Sequence, residues 1–279
     1  MKRLRRGILA LLCALCPLAA LAGEDAPPHL SERGRADYAR FPALTVHRAF
    51  VIAPGGAWAW RADAVSPQAA LEAALADCRG RTPQQCVPYA LDDAVVFDAD
   101  AWSRLWGPYA GAAEAAAARV GTRPGERFFD LAFDDPAGSP GTLSALAGRV
   151  VVLHFWGSWC GPCRHEMPDL QRLQEALADR GDVAFVLLQV RERFAVSRRW
   201  AEAQGIRLPL SDSGSAGEHD KSLPLAGGGR VADRALARVF PTTYVLDKRG
   251  VVLFSHVGPV PRWSEYDAFL RDAAERSGK

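Results

Sequence analysis

Beyond its first 22 residues the chain has no apolar run long enough to span a bilayer, no block of like charge and no internal repeat. A spanning helix needs about 20 consecutive apolar residues, so no lasting membrane anchor is expected there. Without a basic cluster, nucleic acid is excluded as a natural partner. Methionine occurs only twice, which leaves the cysteines as the main soft ligands for a metal such as copper.

The first residues are different. Lys2, Arg3, Arg5 and Arg6 precede an apolar run from Gly7 to Leu21 that closes on Ala20-Leu21-Ala22. A basic start, a short apolar core and a small-residue site predict a signal peptide over 1–22, cleaved after Ala22, and hence export. The leader holds four basic and no acidic residues, so its removal takes the formal charge from +2 to −2. Of six cysteines, Cys13 and Cys16 leave with it. Cys78, Cys86, Cys160 and Cys163 remain as two close pairs, which suits an oxidising compartment.

The sequence predicts two domains. Residues 23–45 show no periodicity and read as a loosely ordered lead-in. "AFVIAPGGAWAW" reads as strand, Pro-Gly-Gly turn and strand. In "SPQAALEAALADC" Ser66 is placed to cap a helix that Pro67 opens, with Leu71, Ala74, Leu75 and Cys78 on one face. "QCVPYALDDAVVFD" reads as a hairpin turning at Asp92-Asp93. Residues 23–100 are thus a small α+β domain, and a Cys78–Cys86 disulfide would pin its helix to its sheet. Residues 101–121 read as a linking helix, with Trp102 and Trp106 on one face for docking.

From 122 to 279 the expected order is the strand "RFFDLAF", a turn and short helix in "GTLSALAG", and the buried strand "RVVVLHFW". A helix from about Cys160 to Ala178, the strand "DVAFVLLQV" and the helix "FAVSRRWAEAQGI" follow. A short strand, a long loop over 211–238, the hairpin "TTYVLDKRGVVLFSHVG" and a terminal helix complete the chain. The fold class is α/β, a mixed sheet covered by helices on both faces. The 211–238 loop either borders the functional site or is a tolerated insertion.

Cys160-Gly161-Pro162-Cys163 lies between a buried strand and a helix. Attachment of c-type haem needs His after the second cysteine, and Arg164 stands there. Structural zinc needs a second ligand pair; Cys78 and Cys86 are poorly spaced and His219 is isolated. A redox pair remains, and no metal or cofactor is expected. At a helix N-terminus the unpaired N–H groups and the dipole favour the Cys160 thiolate. Pro162 supplies a preset φ at the helix entry. Cys160 is then the attacking sulfur and Cys163, one turn on and more buried, the resolving one. His154 alternates onto the inward face with Trp156; it reads first as a satisfied core histidine, or as a group assisting deprotonation of Cys163. Trp156 and Trp159 are expected to shield the disulfide.

"FWGSWCGPCRHEMP" at 155–168 and "FPTTYVLDKRG" at 240–250 resemble the thioredoxin superfamily, and more closely its secreted TlpA/ResA-like thiol-disulfide reductases. The resemblance covers residues 122–279. It implies a thioredoxin-like fold, disulfide exchange and a cis proline at Pro241 lying against the sulfurs. It also implies that the Phe240 backbone, beside Thr242 at the strand entry, pairs with substrate. Glu166 matches a proton-handling glutamate, whereas His154 stands where relatives carry Asp or Asn. The implied substrates are protein disulfides in the periplasm. The implied electron donor is a membrane reductant of the DsbD type, with cytochrome c apoproteins or copper-centre proteins as clients. A disulfide oxidase or isomerase, and a copper chaperone using the same cysteines, are the alternative readings. A peroxiredoxin is disfavoured because P-x-x-x-T-x-x-C is absent before Cys160.

Overall fold

The computed structural model describes residues 26–279, so the predicted signal peptide lies outside the described residues. The first element corrects the loose lead-in: α1 spans Glu32–Arg40, with the Ser31 hydroxyl accepting from Gly34 N. Leu30 and Phe41 on either side of it are buried. So is His29, whose ring stacks on Tyr266 at 4.7 Å and bonds the Glu265 carbonyl at 2.9 Å. These partners lie over 230 residues away, out of reach of a periodicity argument.

Strands β1 (Ala49–Ile52), β2 (Trp58–Arg61), β3 (Val87–Leu91) and β4 (Ala94–Val95) form an antiparallel sheet in the order β2-β1-β3-β4. Helix α2 (Pro67–Arg79), capped by Ser66 as the sequence predicts, packs on it. Alternation along β1 divides its side chains between two cores. Ala49 and Val51 meet Ala70, Ala74 and Cys78 of α2; Phe50 and Ile52 join the large apolar cluster that also contains Trp156, Cys163 and Met167. Cys78 and Cys86 are bonded, tying the end of α2 to the start of β3. In the chain-entropy view so short a loop is worth about 2–3 kcal/mol.

The predicted single helix over 101–121 is two pieces, α3 (Ala99–Trp102) and α4 (Ala112–Ala117). Gly107-Pro108 breaks them apart, since proline cannot donate to a helix and its neighbour is driven out of helical conformation. Trp102 and Trp106 are buried against His29, and Trp106 also against Phe269. The strand expected over 127–133 shrinks to β5 (Ala132–Asp134), paired with β6 (Pro140–Thr142).

The principal sheet has five strands in the order β13-β12-β7-β8-β9. Its centre is β7 (Val150–Trp156), followed by α5 (Gly161–Ala176), β8 (Val183–Gln189), α6 (Phe194–Ala203) and β9 (Leu210–Ser211). After the hairpin β10 (Ser222–Pro224) and β11 (Arg230–Ala232) and the single turn α7 (Asp233–Leu236) come β12 (Thr242–Leu246), β13 (Val252–Val257) and α8 (Asp267–Arg276). Strands β7, β8 and β9 are parallel, and β12 is antiparallel to both β7 and β13. Every residue of β7 is buried, as a central strand covered on both faces must be. Val150, Val152 and Trp156 face the cluster containing Met167, Leu170 and Leu173 of α5 and Phe269 of α8. Val151, Leu153 and Phe155 face Phe128, Leu131, Leu223, Val231 and Leu236. Among the described residues no helix is long and apolar enough to cross a membrane.

Candidate active site

All the elements that carry the predicted redox residues meet at one end of the principal sheet. The turn Gly157-Ser158-Trp159 leaves β7 there and delivers Cys160 as the N-cap of α5. A Cβ at Gly157 would stand 2.3 Å from the Trp159 indole nitrogen, so any other residue there would displace the Trp159 ring. Cys160 and Cys163 are joined as a disulfide, with Cα atoms 5.2 Å apart. Pro162 sits in the first turn, and the Cys163 N–H donates to Cys160 Sγ at 3.2 Å. Cys163 is fully buried and Cys160 nearly so. Once reduced, Cys160 would keep an N–H donor and the helix dipole directed at its sulfur, both of which favour thiolate.

The turn before Cys160 is held by a residue the sequence reading missed. Glu192, buried just past β8, accepts from Ser158 N at 2.6 Å, Ser158 Oγ at 2.5 Å and Ser197 Oγ at 2.9 Å. Trp159 donates its Nε1–H to the Val190 carbonyl at 3.0 Å, yet leaves 48% of its surface exposed. Its ring meets Phe240 edge-on at 5.6 Å. Trp156, by contrast, lies wholly inside and packs on Trp200 at 5.8 Å. The only sequence signal for Glu192 was its place at the carboxyl end of a parallel strand, where such sheets gather their functional groups.

Phe240-Pro241 is a cis peptide bond at the entry to β12. Thr242 pairs with Phe155 and Thr243 with His154, so the register brings Pro241 level with Trp156, where the Cys160 turn departs. Thr242 Oγ1 donates back to the Val239 carbonyl at 2.6 Å and fixes the bend.

Beneath the cysteines lies a buried polar group. Glu166, on α5 three residues after Cys163, is 4% exposed. Its Oε2 accepts from Val260 N at 2.9 Å and Trp263 Nε1 at 3.2 Å. Its Oε1 has no hydrogen-bond partner and faces His154 Nε2, also without one, at 3.6 Å. His154 Nδ1 shares a hydrogen bond with Thr243 Oγ1 at 2.9 Å. His154 is therefore only half satisfied, against the expectation of a fully paired core histidine. Removal from water disfavours charge on both groups. Burial pushes Glu166 up to about 8 and His154 down to about 3, so both are neutral at pH 7. Because Oε2 takes two N–H donors, the proton of the neutral acid belongs on Oε1, pointing at Nε2. The 3.6 Å separation is longer than a hydrogen bond, so the two groups stand poised rather than joined.

A C-x-x-C disulfide at the N-terminus of a helix that follows the central strand, opposite a cis proline, defines a thioredoxin-like thiol-disulfide oxidoreductase. The chain belongs to the Redoxin family, whose model matches residues 123–270. It is 28% identical over 144 residues to the thioredoxin-like protein YneN of Bacillus subtilis, covering 51% of this chain and 76% of that one. It is 28% identical over 136 residues to the thiol-disulfide oxidoreductase ResA of Halalkalibacterium halodurans, covering 49% and 69%. Among solved structures, a thioredoxin-family thiol:disulfide interchange protein from Chlorobium tepidum aligns at 25% identity and a TM-score of 0.39 over 53% of this chain and 95% of its own. The protein is an oxidoreductase of the ResA-like kind, and residues 26–122 lie outside the family match.

Proposed function

We propose that the protein is a periplasmic reductase of protein disulfides, working by dithiol-disulfide exchange through Cys160 and Cys163. The observation that carries this reading is the Cys160 sulfur at the α5 N-cap, 3.2 Å from the Cys163 N–H, with the second sulfur fully buried behind it. The thiolate of reduced Cys160 attacks one sulfur of the client disulfide, whose other sulfur leaves as a thiolate and takes up a proton. Cys163 gives up its proton and attacks Cys160, releasing the second client thiolate. Two electrons pass to the client, and the enzyme ends as the Cys160–Cys163 disulfide.

Glu166 and Cys163 lie a turn apart on one buried face of α5, which makes Glu166 the proton carrier in this scheme. While the enzyme is oxidised and Glu166 is neutral, it is the acid that protonates Cys163 as a donor thiol opens the disulfide. In the forward direction its carboxylate is the base that deprotonates Cys163. Cis Pro241 and the Phe240 backbone seat the client chain, and Trp159 gives it an exposed aromatic surface.

The Gly-Pro dipeptide matches thioredoxin, whose potential is about −270 mV, rather than the strongly oxidising DsbA at about −120 mV. A reductase in an oxidising compartment must be recharged. The family resemblance suggests a DsbD-type membrane donor, with cytochrome c apoproteins or copper-centre proteins as clients. The deciding measurement is the equilibrium potential of the Cys160–Cys163 pair in glutathione and dithiothreitol buffers. A value at or below about −250 mV supports the reductase. One near about −120 mV reverses the direction and makes the protein an oxidant.

A further inference from the structure

The segment over 211–238 is not a bare surface loop. Its hairpin β10–β11 and the turn α7 bury Leu223, Val231 and Leu236 against the odd-numbered face of β7, and the Tyr244 hydroxyl donates to the Leu236 carbonyl. From that segment Asp233, 3% exposed, reaches Arg191, whose Nε donates to its Oδ2 at 2.6 Å. Arg191 itself is 18% exposed and stands just beyond β8, beside the Glu192 that holds the Cys160 turn. Its backbone lies in the left-handed region, at φ 58°. A non-glycine residue stays there only where surrounding contacts hold it. The guanidinium carbon lies 5.2 Å from the centre of the Phe240 ring, whose edge-on partner is Trp159. An ion pair, a held backbone and a cation over an aromatic face therefore converge on the residue that precedes the cis proline.

We propose that Asp233, Arg191 and Phe240 form a clamp through which the 211–238 segment positions the client-binding rim of the active site. Asp233 fixes the guanidinium, the guanidinium fixes the Phe240 ring, and the ring holds the backbone against which an extended client segment lies. Asp233 and Arg191 are positioning residues: neither touches the sulfurs, and their effect is on docking of a polypeptide rather than on thiol exchange itself. A small disulfide that never reaches the rim does not need them. This inference rests on the reductase reading above.

The test compares two substrates in wild-type protein and in the Asp233→Asn, Arg191→Lys and Arg191→Ala variants. Insulin is the polypeptide disulfide and bis(2-hydroxyethyl) disulfide the neutral small one, with the Cys160–Cys163 potential reporting on the integrity of the site. Loss of the charge or of the stacked cation should raise KM for insulin by about tenfold, the size expected of a partly desolvated cation–π contact. The kcat on insulin and the potential should stay as in wild type. The insulin to small-disulfide ratio of kcat/KM should fall by the same factor. Lysine, which keeps the charge but not the planar fork, should recover only part of it. An unchanged insulin KM in variants whose potential is intact would overturn the clamp and leave the reductase reading standing. Equal losses on both substrates, or a shifted potential, would also overturn it, because the residues would then act on the cysteines. Wild-type protein that reduces neither substrate would overturn the reductase reading and the clamp together.

Discussion

Replacing Glu166 by glutamine separates the proton this residue carries from the hydrogen bonds it accepts. The glutamine oxygen can still take Val260 N–H and Trp263 Nε1–H, and its amide group faces His154 Nε2 where Oε1 now stands. What is lost is the titration. Glu166 moves from an ordinary 4.5 in the unfolded chain to about 8 in the folded one, because burial penalises its charge. Between those two pH values the folded protein keeps a proton that the unfolded chain has released. The stabilisation is full below about pH 4.5 and is lost as pH rises toward 8, at about 1.4 kcal/mol per pH unit. His154 and His29, pushed down to about 3 and about 4 by burial, give the opposite slope below pH 6.5. Both histidines remain in the variant, so their contribution cancels in the difference. Urea unfolding of the oxidised protein and of Glu166→Gln at pH 5, 6, 7 and 8, followed by far-UV circular dichroism, reads that difference. Between pH 5 and 8 it should move by about 3–4 kcal/mol in favour of the variant. Parallel stability curves, separated by a constant amount, would refute the assignment of a neutral Glu166 at physiological pH.

Two further outcomes follow from the cysteines. Cys163→Ser should leave client attached to Cys160 as a mixed disulfide, seen as a dithiothreitol-sensitive adduct on a non-reducing gel, while Cys160→Ser gives neither adduct nor turnover; adducts formed equally by both would break the order of attack. Replacing Cys78 and Cys86 together by alanine should lower stability by about 2–3 kcal/mol with the Cys160–Cys163 potential unchanged. A shift of about 30 mV or more, worth about 1.4 kcal/mol in the exchange equilibrium, would show that this pair is coupled to the active site rather than structural.

The parts of this fold that the sequence announces are those whose cause is local. The seven-residue apolar run of β7, Ser66-Pro67 at the start of α2 and Gly161-Pro162 at the start of α5 each carry their own reason within a few residues. The parts it hides are made by distant partners. Residues 26–45 look featureless because the groups that bury His29, Leu30 and Phe41 come from Phe50 and, far along the chain, Tyr266 and Phe269. Ala-rich composition favours helix over 101–121, but one Gly-Pro pair divides it. At the site, Cys160 and Cys163 are legible from spacing, while Thr243 and Trp263 join His154 and Glu166 only through strand register and the packing of the segment after β13. Nothing in the order of residues foretells that Glu192 would hold Ser158, or that Asp233 would hold Arg191.

The wall that keeps Glu166 dry includes Val260 and Trp263, and the short 3-10 turn Trp263–Tyr266 is built into both sides of the molecule. Its Trp263 N–H is held by Asp169 of α5 at 2.9 Å. Glu265 in the same turn accepts from His29 N at 2.9 Å and pairs with Arg35 of α1 at 3.0 Å. The Tyr266 hydroxyl donates to the His29 carbonyl at 2.9 Å, and its ring stacks on the His29 ring. A turn fixed from one side only would be free to move aside and admit water, which would stabilise the Glu166 carboxylate and lower its pKa. The contacts on both sides oppose that movement. Residues 29–35 thus brace, from the side opposite α5, the turn whose Trp263 indole donates to Glu166.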